Sequence, residues 1–324
     1  MVWKVKMETT DKVRTWTDQK IKTQFLDVDI TIEIKDKKCV ILLDGKSENV
    51  ERAFYIVWEV LFLYDGYFYK PSAFIIDGEE KEVDSLIKVA FYQSGRHWIE
   101  SSILLGRAER DLSENILIAF DKMRNEGKNN GKMTKSVVNA FFYLHSEGYE
   151  KIISDHRLSL YLNLCDGFVN NTFKETNNVK QNFERVIKNA LNTQKILYGL
   201  SLLGINRNDF CYVLAQERHE VDHYVYKNDS LATYVFNSEE KARHYIIWYF
   251  TYIVELALRV SFLSYIGVNI KNEYKDYAMD VINDWIIYEN DFSDNCVTPG
   301  YQYKQFIKKA QTTNKQIDNK KLDG

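Results

Sequence analysis

The chain has 324 residues, 38.3 kDa, 45% of them hydrophobic and 27% charged, with a formal charge of −3 and a pI near 6.1. That apolar content excludes a disordered chain and can fill a sizeable core in more than one domain. The acidic balance excludes a protein that coats nucleic acid by general positive charge, leaving room only for a local basic cleft. Residues Phe25 to Ile34 alternate apolar and polar, Asp36-Lys37-Lys38 turns, and Cys39 to Leu43 follows, so a hairpin with one wet face is expected. Ser47 offers an N-cap to a helix whose stripe is Val50, Ala53, Phe54, Val57, Trp58 and Leu61 and which stops at Asp65-Gly66. A strand is expected over Ala73 to Ile76 and another over Trp98 to Leu105. Residues 1–106 therefore read as a small α+β module of sheet plus helix.

Beyond Gly106 the pattern becomes helical, interrupted by polar, lysine-rich breaks, with Pro71 and Pro299 the only prolines in the chain. A connecting helix capped by Ser113 and a loop from Asn125 to Lys132 fill 107–134. From Lys135 to about Thr172 an apolar periodicity broken near Gly148 predicts two helices end to end or one kinked helix. Val179 to Leu191 is amphipathic, Gly199 and Gly204 bracket a turn, and Asp209 can cap the helix that starts at Phe210. The run from Ile246 to Ile266 is apolar nearly all round. Glu255 and Arg259 lie within it at the spacing of an ion pair, which is costly in lipid, so a buried bundle helix is expected and no membrane contact. Tyr274 to Tyr288 adds a helix, and 271–324 ends in a polar tail from Lys308 to Gly324 that is expected to be mobile. The fold class expected is α+β, with the larger all-α bundle over 135–270.

Cys39, Cys165, Cys211 and Cys296 are scattered without a CxxC pair, so buried free thiols are expected rather than disulfides or a thiolate metal site. No apolar run near Met1 is long enough for a signal peptide, which makes a cytoplasmic setting the expectation.

The densest chemistry is Gln216-Glu217-Arg218-His219-Glu220-Val221-Asp222-His223-Tyr224. Read from His219 it is His-Glu-x-x-His, in which His219 and His223 could share a zinc ion, Glu220 could act as general base and Glu239 or Glu240 could complete the set. Asp222 puts a charge where zinc proteases usually have none. Read from Arg218 it offers an arginine for phosphate and histidines for proton transfer. On an ideal helix Arg218 and His223 diverge by roughly 140° whereas His219 and His223 share a face. A solvated helix face with local ion pairs would also fit these residues.

The stretch around that motif resembles the HEPN superfamily. Arg218-His219-x-x-x-His223-Tyr224 is similar to the R-[NH]-x-x-x-H-[YG] signature of its Apea-like branch. His156 to Phe168, running into Asp166-Gly167, resembles an early helix of that branch, and Glu255 to Val268 its closing helix. Trp58 to Phe68 is similar to the β-rich modules that precede such domains. The resemblance implies a metal-independent, cofactor-free endoribonuclease of toxin or antiviral type, working as a homodimer with an inhibitory or sensor partner. It implies Arg218 on the phosphate, His223 in acid–base work and His219 in positioning or a second proton transfer. Tyr224, Tyr226 and Lys227 beside the motif are candidate RNA contacts. A non-catalytic module of the same fold would carry the same helices. His97, His145, His156 and His244 lack partners in sequence and read as packing or surface residues.

Overall fold

The computed structural model describes residues 1–8, 18–35, 38–66, 68–82, 110–126, 132–145, 154–173, 178–205, 208–223 and 240–289. The class is α+β: a six-stranded antiparallel sheet from the N-terminal part, followed by a helical region. The strands are β1 (Val2–Glu8), β2 (Gln19–Phe25), β3 (Val28–Lys35), β4 (Lys38–Asp44), β5 (Lys70–Ile76) and β6 (Glu79–Lys81), in the order β2-β3-β4-β1-β5-β6. Strict alternation puts Trp3, Val5, Met7, Ile30, Ile32, Ile41 and Leu43 on one buried face and lysines and acids on the other.

The alternation from Phe25 to Ile34 is not one strand. Leu26 and Asp27, at φ 53° and 57°, form a two-residue turn in which Phe25 faces Val28 across the ladder. Left-handed conformation at both central residues matches the twist of the flanking strands. An even number of turn residues leaves the period of two unbroken, which is why the alternation conceals the turn. The strand expected over Trp98 to Leu105 lies outside the described residues, as does Gly148.

Helix α1 (Ser47–Asp65) crosses the buried face of the sheet and packs against β3 and β4. Ser47 does not cap it. The capping position falls to Lys46, and no side chain bonds to the first turn. Its end is as expected: Gly66 is left-handed at φ 76° and donates its N–H to the Phe62 carbonyl at 2.7 Å. Every residue of α1 from Ala53 to Asp65 is buried, not only the single stripe, because the sheet covers one side and the bundle covers the other.

The bundle contains α2 (Glu114–Asp121), which widens into a π turn over Lys122–Glu126, then α3 (Lys132–Tyr143) and α4 (Ser154–Phe173). It continues through α5 (Val179–Phe183, with a π turn over Glu184–Lys188), α6 (Thr193–Leu202), α7 (Phe210–His223), α8 (Glu240–Tyr265) and α9 (Asn272–Glu289). The periodicity from Lys135 to Thr172 is thus two helices, α3 and α4, packed side by side. Gly199 lies inside α6 rather than at a turn. A Cβ there would collide with the Tyr249 hydroxyl and the Asn283 side chain, so glycine is required by close approach. The turn belongs to Gly204 alone, at φ 76°.

The core is continuous from sheet to bundle. Phe62 on α1 meets Phe141 and Phe142 on α3, and Phe141 meets Phe262 on α8 edge-on at 5.1 Å between centroids. Each such buried ring contributes about 1.5–3 kcal/mol. Buried ion pairs reinforce the junction: Arg110 donates from Nε and Nη2 to Asp65, and Arg124 donates from Nε and Nη2 to Glu59. The boundary expected at 106 falls among residues outside the described set. The tail from 290 onward is outside it as well. The stretch Ile246–Tyr265 is long and apolar enough to cross a bilayer, yet 89% of it is buried within the protein.

Candidate functional site

Helix α7 positions the motif. Asp209 precedes it and accepts from the Tyr212 N–H at 3.3 Å, satisfying one of the donors that a helix start leaves open. Val213, Leu214 and Glu217 turn inward, Arg218 is half-buried, and Tyr212 and His219 are exposed. By helical register, position 223 belongs to the face of Tyr212 and His219, as the spacing requires.

Arg218 meets α4. Its Nε donates to Asn163 Oδ1 at 2.7 Å, and its Nη2 lies 3.3 Å from Asp166 Oδ2. Asp166 Oδ1 in turn accepts from Asn182 Nδ2 at 2.6 Å and from Asn170 Nδ2 at 3.2 Å, and Asn182 Nδ2 also donates to Asn170 Oδ1 at 3.0 Å. The carboxylate is therefore held by donors from three helices, and it fixes the plane of the guanidinium. With 26% of its side chain exposed, Arg218 keeps contact with solvent while its direction is set from behind. A planar fork so oriented can present positive charge to a phosphate.

The structure brings Asn163 and Asp166 to the arginine and Asn170 and Asn182 to Asp166, and the sequence pattern assigned none of them a role. The available signal was polar residues at i, i+3 and i+7 in a helix otherwise filled by Leu158, Tyr161, Leu162, Cys165, Phe168 and Val169. The side chains of Glu220, Asp222 and His223 lie outside the described residues, and so do Tyr224, Tyr226, Lys227 and Glu239, together with the side chain of Glu240. Among the described residues no group of three or more His, Cys, Asp or Glu is placed to hold a metal.

Of the other histidines, His145 is fully buried against Phe62 and Phe141, with its Nε2 3.1 Å from the Tyr161 hydroxyl, and His156 is exposed. His97 and the side chain of His244 lie outside the described residues. Burial pushes the Cys165 thiol well up and the Cys211 thiol to about 12, so neither is a thiolate nucleophile near neutral pH. A separate cavity of about 420 Å³ opens between α1 and the π turn after α2, lined by Glu48, Glu51, Arg52, Tyr55, Glu59 and Arg124. Its two arginines are bonded to Asp121 and Glu59, and it contains no part of the α7 motif.

Comparison with family models, with curated proteins and with solved structures finds no match.

Proposed function

We propose that the helical half is a metal-independent endoribonuclease in which Arg218 holds the scissile phosphate and His223 and His219 move protons. One observation carries the reading: Arg218 keeps a quarter of its side chain in solvent and is held in place by Asn163 and Asp166, on the helix that also carries both histidines. Attack by a ribose 2′-hydroxyl needs a base for that proton, an acid for the departing 5′ oxygen and a cation where charge builds on phosphorus. Imidazole groups titrate in the right range for the first two, and guanidinium supplies the third. The helix directs Arg218 and position 223 roughly 140° apart, so a two-fold dimer joining two α7 helices completes the site. The exposed side chains of Tyr212 and His219 are what such a partner would meet. A cytoplasmic setting and restraint by a sensor partner belong to the same reading.

The test is incubation of the purified chain with RNA in EDTA. Cleavage that persists under chelation and disappears in His223→Ala is the expected result. Chelation that stops all cleavage, or full cleavage by His223→Ala, overturns the proposal. A second reading, a non-catalytic interaction module, is favoured by the Arg218–Asp166 ion pair, which gives the arginine a structural partner. It expects no cleavage under any condition.

A further inference from the structure

Charge on the outer face of the sheet is sorted by row. Across the ladder, Gln24, Asp29, Asp44 and Val2 form one row with two acids and no base. The next row runs Lys22, Thr31, Leu42, Lys4, Ile75 and Glu80, and the one after it Lys20, Glu33, Val40, Lys6 and Ala73. A last row holds Lys35, Lys38, Glu8 and Lys70. Three adjacent rows are thus rich in lysine in a chain whose formal charge is −3. Lys20 is paired with Glu33, while among the described residues Lys4, Lys6 and Lys22 are exposed and form no salt bridge. Helix α1 occupies the opposite face, and no described element packs on this one.

We propose that this face docks the phosphate backbone of double-stranded RNA. Lys4 and Lys6 on β1, and Lys20 and Lys22 on β2, form two columns about 14 Å apart with about 7 Å between the lysines of each column. Two such columns suit two phosphate rows bordering a groove, which a duplex holds in place and a loose strand does not. The side chains between them are Thr31, Leu42, Val40 and Glu33, without an aromatic ring, so the stacking platform that single strands use is missing. Val2 and Leu42, at 39% and 38% exposure, lie flush with the sheet and offer no ring to insert into a bilayer. Docking by this face is independent of the catalytic proposal, and only the choice of RNA over DNA rests on it.

The test uses the full chain carrying His223→Ala, so that cleavage cannot distort the measurement, with a fluorescent 20-base-pair RNA duplex titrated at several salt concentrations. Lys4→Glu, Lys6→Glu and Lys22→Glu combined are expected to weaken binding ~10-fold or more and to lower the salt slope by about 3. Circular dichroism and melting temperature are expected to stay unchanged, and the corresponding Gln variants to shift binding in the same direction by less. Duplex affinity unaltered by the Glu variants overturns the inference. Tighter binding of a single strand, or binding of phosphatidylserine vesicles but not duplex through the same lysines, also overturns it. A parent chain with His223 in place that never cuts RNA, together with loss of duplex affinity in the lysine variants, sinks the ribonuclease proposal alone.

Discussion

Two arginine–carboxylate sites in the bundle look alike in composition and differ in what surrounds them. On α8, Arg259 is fully buried with its Nε 3.6 Å from Glu255 Oε1, and its guanidinium lies against Gly66 at the end of α1. A Cβ at position 66 would lie 2.6 Å from Nη1. Arg157 is buried as well, and its charge, like that of Arg259, favours the ionised form of Glu255, so a second arginine belongs to the group. On α7, Arg218 has the same kind of partner, Asp166, but a quarter of its side chain reaches solvent. Water decides the difference. The α8 charges have lost their hydration and depend on one another, whereas the α7 guanidinium can still exchange solvent for a ligand. The first joins the sheet module to the bundle, and the second is free of that duty.

The largest expected effect breaks the buried site. Arg259→Leu leaves Glu255 dry and without the cation that most favours its ionised form, and is expected to cost about 3–5 kcal/mol in urea unfolding. Arg218→Leu, at the rim, is expected to cost no more than about 1 kcal/mol. Equal losses at the two positions would erase the distinction.

Function sharpens the comparison in the opposite direction. Arg218→Lys keeps the charge but loses the fork that bonds to Asn163 and Asp166 together. Under the ribonuclease reading it is expected to lower the cleavage rate ~10²- to 10³-fold. Its melting temperature should hold within a few degrees, because about 1 kcal/mol moves a chain of this size by only ~2–4 °C. Unchanged cleavage in Arg218→Lys would remove the arginine from the chemistry.

Both sites were partly legible in the sequence. Glu255 and Arg259 are four apart in an apolar run, which gives the pair but not the partner across the interface, since Gly66 lies far away in the chain. Arg218 was visible from its neighbours on one helix. Asn163 and Asp166 were not, nor was Asn182 behind Asp166, because this network forms only when α4, α5 and α7 pack together. The same divide holds for the fold: period and Gly66 located α1, while the Leu26-Asp27 turn stayed hidden inside an unbroken alternation. Local pattern fixes elements, and distant packing assigns roles.

The smallest effect is a slope with pH. Burial holds the Glu255 carboxyl above the usual carboxylate range, against the pull of Arg259 and Arg157, and the same burial lowers the Arg259 value against the pull of Glu255. A carboxyl raised on folding binds its proton more tightly in the native state than in the unfolded chain. Its contribution to stability is therefore complete at low pH and declines as pH climbs from the unfolded value through the raised one. The decline is at most about 1.4 kcal/mol per pH unit for one proton. Glu255→Gln removes that proton and is expected to flatten this part of the profile, gaining on the parent as pH rises from about 4 toward neutrality. A parent profile that rises across this interval with the same slope in Glu255→Gln would show that Glu255 is ionised without penalty. The buried site would then be a hydrated pair like the one on α7.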